Sequence, residues 1–187
     1  MAVIDTVDAR ERILDVTAAL VLEHGVAGVA QRQIAERVGI KAASLYHHFG
    51  SKNEIVEAVF RQGIDVMEHA WDEAAAATSA DPRTRLATHI RAHLSALFEN
   101  GSYTAAHVTA FRTAPAEVRG AVVPMRDAYE ARWTRLLSDL DLVDQPGLNR
   151  LTLFGAMNSS VEWFDTERGN LDELTEVITS RFWGRTP

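Results

Sequence analysis

QRQIAERVGIKAASLYHHFGSK, residues 31–52, divides into a short amphipathic segment, a glycine turn, a second short segment and the start of a third. In the first, Ile34, Ala35 and Val38 stand at i, i+1 and i+4, the buried face of a two-turn helix. Gly39 follows, the residue type that closes a helix in the left-handed region without a Cβ penalty. With Lys41 as cap of the second segment, Ile40 and Leu45 occupy the two positions of a hydrophobic staple, and Leu45 and Phe49 share a face. Ala42, Ala43, Ser44, Tyr46 and His47 are left on or near the outer face, small or hydrogen-bonding groups that permit close approach. Gly50 ends the segment, and Ser51 with Glu54 has the spacing of a capping box for the next helix. Such an arrangement is a helix-turn-helix, which lays its second short helix in the major groove of DNA.

Charge is distributed in keeping with that reading. The 187-residue chain has a formal net charge of −7, the wrong sign for neutralising phosphates. Within 31–52, however, Arg32, Arg37, Lys41 and Lys52 face Glu36 alone, and these are both lysines of the chain. The acidic excess lies elsewhere, where it repels nonspecific DNA and keeps the body soluble. There is no Cys, hence no disulfide framework and no thiolate chemistry. Neither a signal peptide nor a run of about 20 apolar residues is present, so a cytoplasmic protein is expected.

The N-terminal 60 residues resemble the TetR family of one-component bacterial transcription regulators. The resemblance is carried by ERILDVTAALVLEHG (11–25), RQIAERVGI (32–40) and SLYHHFGSK (44–52), with Leu45-Tyr46-x-His48-Phe49-x-Ser51-Lys52 as its core. It implies an N-terminal three-helix DNA-binding unit and an all-helical C-terminal unit for ligand binding and dimerisation. It also implies groove-facing positions at Ala42, Ala43, Ser44, Tyr46 and His47, phosphate contacts at Tyr46 and Lys52, and a backbone-facing Arg32. Two departures stand out. Val29-Ala30 replaces the family's Ser/Thr pair before the second helix, removing a side-chain cap and a phosphate donor. Lys41 replaces a small hydroxyl residue and can reach a phosphate or a guanine edge.

The rest of the chain is punctuated as helices. Asp8 with Glu11 is expected to cap a first helix ending near Gly25, and another runs from Ser51 to about Ala77. Asp81-Pro82 opens one through Phe98, with further helices over about 103–113, 115–140, 148–165 and, capped by Asn170 and Glu173, to about Trp183. Asp144 to Gly147 reads as a break. The expected fold is all-α, about nine helices, with a DNA-binding domain over 1–52 and a ligand-binding and dimerisation domain over 53–187.

Leu148, Leu151, Leu153, Phe154, Met157, Val161 and Phe164 wrap more than one face of their helix, and Leu171, Leu174, Val177, Ile178 and Phe182 stripe the last. Such a pair needs a second partner besides its own core, which points to a homodimer that would match a palindromic operator on double-stranded DNA. Met67, Trp71, His93, Phe111, Tyr129, Trp133, Asn158 and Trp163 are candidate lining residues of an apolar effector pocket. The segment LFGAMNSSVEWFDTERGNLDEL (153–174) is similar to the tail of a TetR subgroup responsive to acyl-CoA thioesters, a likeness carried by Asn158 and Trp163. Arg112, Arg126, Arg132 and Arg135 are the nearest candidates for the phosphates of such an effector.

His89 and His93, at i and i+4, admit a metal-responsive alternative, completed by His69, His107 or Glu99. No cofactor or resident metal is expected. An enzyme is disfavoured, since nucleophile elbow, phosphate loop, dinucleotide fingerprint and His-Glu-x-x-His are all missing. The expectation is a ligand-responsive repressor.

Overall fold

The structure, a computed structural model, describes residues 6–77, 79–142 and 147–183, with side chains from residue 9 onward. Among these residues the fold is all-α: α1 (Thr6–Gly28), α2 (Gln31–Val38), α3 (Ala42–His48), α4 (Lys52–Ala76), α5 (Pro82–Phe98), α6 (Tyr103–Ala110), α7 (Ala116–Asp139), α8 (Leu148–Trp163) and α9 (Leu171–Trp183). A 3₁₀ turn, Phe111–Thr113, follows α6. None of the described helices is long and apolar enough to cross a membrane.

The chain packs as two compact units. The first holds the residues up to Ile64 with Ser102–Pro124, and the second holds Asp65–Gly101 with the chain from Met125 on. α4 and α7 each contribute to both.

In the first unit α1 packs on α2 and α6, and α2 on α3. Ile13, Leu20, Ile34, Leu45, Ile55, Val56 and Val59 are fully buried there. Burying each contributes about 1.5–3 kcal/mol, which holds helices as short as α2 and α3 that would not persist alone. The turn between them closes as the sequence suggests. Gly39 takes φ 79°, its N–H donates to Ala35 O, and Ile40 N–H donates to the same carbonyl. Ser51 Oγ accepts from Glu54 N–H at 3.1 Å, but Glu54 Oε2 accepts from Gly50 N–H, one residue earlier than a standard capping box.

α1 is already helical at Thr6 and Val7, so Asp8 lies inside the helix rather than at its cap position. At Gly25, φ 66° interrupts α1 where the sequence places its end. α4 meets α6 at Gly63, where Thr104 Oγ1 donates to Gly63 O at 3.0 Å. A Cβ on Gly63 would lie 2.6 Å from Tyr103 O, so only glycine allows this approach. Pro124 sits within α7 and leaves Gly120 O without its usual helical donor. Arg61 donates to the neighbouring Ala121 O at 3.0 Å.

In the second unit α5 packs along α9 and on α8. Asp81 Oδ2 accepts from Thr84 N–H at 2.8 Å, and Pro82 takes the first helical position. Arg91 pairs with Glu99 and with Asp172 of α9, and Arg83 with Glu176. Pairs this exposed contribute about 0–1 kcal/mol each, so they set register more than stability. Gly147, at φ 92°, precedes α8; residues 144–146 of the expected break lie outside the described residues. Asn170 Oδ1 accepts from Asp172 N–H at the start of α9.

Candidate nucleic-acid interface and ligand pocket

α3 is anchored by its inner face. Leu45 is wholly buried, Phe49 beside it nearly so, and the Arg10 guanidinium lies 4.3 Å from the Phe49 ring centroid. The opposite face carries exposed Lys41, Ala42, Ala43, Tyr46 and His47, with Ser44 half-buried. Neither Ala30 nor Lys41 caps its helix with a side chain. Tyr46 is 57% exposed, and its hydroxyl donates to Gln31 Oε1 at 3.1 Å. Arg32, on the first turn of α2, is exposed as well.

Lys52 is placed differently. Its Nζ donates to Val26 O and Val29 O, both at 3.0 Å, neutralising the carbonyl ends of the α1–α2 connection. Arg12 does the same at the end of α2, donating to Val38 O, and Arg37 pairs with Glu23 at 2.9 Å. The basic residues of this segment are thus split between framework (Lys52, Arg37) and free surface (Arg32, Lys41). Sequence reading missed Gln31. It lies fifteen residues from Tyr46, and only the turn geometry brings the two together.

The pocket candidates separate into two groups. Phe111 belongs to the first unit, where it packs with Phe60 and His107. Met67, Trp71, His93, Tyr129, Trp133 and Asn158 belong to the second, and most form a filled aromatic cluster. Trp71 packs edge-on against Trp133 and His89, at 5.0 and 4.2 Å between ring centroids. The Tyr129 hydroxyl donates to His93 Nδ1 at 3.0 Å, and His93 Nε2–H donates to Asn158 Oδ1 at 2.9 Å. That pairing satisfies a neutral imidazole. Burial pushes the His93 pKa down to about 4, against a smaller raising effect of the Asn158 hydrogen bond. Burial likewise raises that of Tyr129. Trp133 opposes that rise with a smaller lowering effect. Trp163 stands apart, 61% exposed.

Both nitrogens of His93 are therefore committed, and His89 Nδ1–H donates to Arg85 O at 2.9 Å. Among the described residues no three His, Asp or Glu side chains gather as a metal site.

An open cavity of about 270 Å³ lies beside the cluster. Trp71 and Ala74 of α4, His89 of α5 and Leu136 of α7 floor it, and Arg85, Arg132 and Arg135 stand around it. Of the eight candidates, Trp71 alone lines this cavity. Two of the arginines expected near an anionic effector, Arg132 and Arg135, are here, whereas Arg112 lies in the first unit and Arg126 pairs with Glu130. Arg85 had no signal in the sequence beyond sharing a helix face with Thr88 and His89.

Residues 13–59 match the tetR family of bacterial regulatory proteins, and residues 79–180 match the tetracyclin repressor-like C-terminal domain. The chain belongs to the TetR family. Its class is that of a transcriptional regulator and not of an enzyme, and the all-helical TetR architecture accounts for both units. Among curated TetR relatives, the transcriptional repressor KstR2 of Rhodococcus jostii (strain RHA1) is 41% identical over 56 residues, 30% of this chain and 28% of that protein. The repressor KstR of Mycolicibacterium smegmatis is 29% identical over 132 residues, 71% of this chain and 64% of that one. In both cases the match spans less than two thirds of the relative. Among solved TetR-like structures, AibR in complex with isovaleryl coenzyme A and operator DNA has a TM-score of 0.80 at 19% identity, covering 92% of this chain and 97% of its own. KstR2 of Mycobacterium tuberculosis gives 0.72 at 22%, covering 94% and 90%. These two likenesses concern the fold alone.

Proposed function

We propose that this TetR-family regulator is a repressor that binds a palindromic operator as a homodimer and is released by a small apolar or acyl-CoA-type effector. In this reading residues 1–52 are the DNA-binding domain and residues 53–187 the ligand-binding and dimerisation domain, acting in the cytoplasm. The observation that carries it is the two-sidedness of α3. Leu45 locks one face into the first unit, while Lys41, Ala42, Ala43, Tyr46 and His47 are presented on the other.

Ala42, Ala43, Ser44 and His47 are assigned to base edges, and Arg32, Lys41 and Tyr46 to phosphates. Lys52 supports the interface by holding the α1–α2 connection, with phosphate contact a secondary role. Leu148, Leu151 and Val177 are exposed apolar residues on α8 and α9, which favours these helices as the dimer interface. Isovaleryl coenzyme A in the AibR complex and the ketosteroid-regulator designation of KstR2 support the class of effector. Trp71 and Lys52 lie on the same 25-residue helix, α4, so an effector that displaces Trp71 has a direct route to the framework beneath α3. DNA fixes the separation of paired recognition helices, and a shift of either one sacrifices a half-site.

Selection from a random-sequence duplex library with the purified protein tests the reading. A palindrome with half-site centres about 10–10.5 base pairs apart, or a multiple of that spacing, is expected. Enrichment of no sequence, or of a motif without two-fold symmetry, would contradict it.

A further inference from the structure

The cavity beside the aromatic cluster is built from one face of each of three helices: Trp71 and Ala74 on α4, Arg85 and His89 on α5, Arg132 and Leu136 with Arg135 on α7. Its floor is apolar, since Trp71, Ala74 and Leu136 are buried. Its wall is cationic. Arg132 is committed, because it pairs with Asp72 and its guanidinium lies 5.2 Å from the Trp71 ring centroid. Arg85 makes no side-chain hydrogen bond or ion pair among the described residues. Arg135 reaches only Ala131 O, one turn back, at 3.4 Å. Asp139 also stands in the wall but pairs with neither. Two guanidiniums without an ion-pair partner among the described residues thus line a hollow with an apolar floor, where a bound oxyanion could accept from both.

His89 completes the picture. Its Nδ1–H is used by Arg85 O, which leaves Nε2 as an acceptor. Burial lowers its pKa against a smaller raising effect of the Arg85 O hydrogen bond, and the Arg85 and Arg132 charges lower it further, which favours the neutral ring. A neutral acceptor here does not hold the anion; it selects a hydroxyl or N–H on the body that carries the anion.

We propose that this cavity is the anion-recognition part of the effector site, taking a carboxylate or phosphate on a small apolar body, with Arg85 and Arg135 as the anion's ligands and Trp71 and Leu136 beneath the body. The proposal rests on the ligand-responsive reading above. At about 270 Å³ the cavity lies below the usual range for drug-sized ligands, so it holds a small acid whole or only one end of a coenzyme thioester.

Calorimetric titration of the full chain with octanoate, coenzyme A and octanoyl-CoA separates the sources. Binding of octanoate without coenzyme A assigns the oxyanion to a free acid, and the reverse assigns it to a coenzyme phosphate. In either case Arg85→Gln and Arg135→Gln each weaken binding about tenfold or more, as loss of a charge-assisted hydrogen bond does, while Arg112→Gln in the other unit leaves it unchanged. If none of the three probes binds, or if both pocket variants bind as the wild type does, the proposal is overturned. Release of operator DNA is scored separately. Binding sensitive to Arg85 and Arg135 without release supports the cavity and counts against the ligand-responsive reading; release undiminished in both variants does the opposite.

Discussion

Acidification should destabilise this protein through His93, which is buried in the second unit. The imidazole is 1% exposed, its two nitrogens are paired with Tyr129 and Asn158, and burial lowers its pKa from 6.5 to about 4. Between those values the unfolded chain binds a proton that the folded chain refuses, so stability is lost as pH falls from about 6.5 toward 4. Integrating that difference between pH 7 and pH 5 gives a loss of about 2 kcal/mol from this one group. His93→Gln removes the titration. Its own destabilisation, from breaking the hydrogen-bonded set, is largest at pH 7, and the gap to wild type should shrink by about 2 kcal/mol at pH 5. His89, whose pKa is also lowered by burial, steepens the pH dependence of both proteins and cancels in the comparison. Urea unfolding followed by circular dichroism at pH 5, 6 and 7, at one fixed protein concentration, measures the gap. A gap that is the same at pH 5 and pH 7 would refute the reasoning, since His93 would then titrate alike in both states.

Gly63→Ala, which in an exposed helix would stabilise by about 1 kcal/mol, should here destabilise by about 1–3 kcal/mol, because the new Cβ meets the backbone of Tyr103; a raised melting temperature would contradict the close packing of α4 on α6. Lys52→Ala should lose about 1.5–3 kcal/mol of stability along with operator affinity, whereas Tyr46→Ala should lose affinity with its melting temperature nearly intact. An unchanged melting temperature for Lys52→Ala would return that lysine to a purely DNA-facing role. Leu151→Asp, at a position 57% exposed in the single chain, should convert dimer to monomer in sedimentation without lowering helix content; a dimer that survives it would place the interface elsewhere.

What the sequence made legible was local. Ile34, Gly39, Ile40, Leu45 and Ser51 act through neighbours one to five residues away, so the turn between α2 and α3 could be read directly. The helix count followed from caps such as Asp81-Pro82 and from glycines at Gly39 and Gly147. Roles created by distant pairings were not legible. Lys52 finds its acceptors 23 and 26 residues back, and His93 finds Tyr129 and Asn158 36 and 65 residues ahead. A list of soft and aromatic residues could not tell that His93, Tyr129 and Trp133 fill a core, that Phe111 belongs to the other unit, or that Trp163 faces outward. Arg85 was invisible for the same reason: its value lies in lining one cavity with Arg135, 50 residues away in sequence.

The central claim is that the exposed face of α3 reads a two-fold operator. Fluorescence anisotropy of the selected palindrome over a series of salt concentrations, with wild type, Tyr46→Ala and Lys41→Ala, tests it most directly. The account predicts strong, steeply salt-dependent binding by wild type and weak binding by Tyr46→Ala. It also predicts a log–log salt slope shallower by about 1.8 for Lys41→Ala, because each of the two heads then neutralises one phosphate fewer. Wild-type affinity and an unchanged slope in both variants would mean that α3 does not touch the DNA.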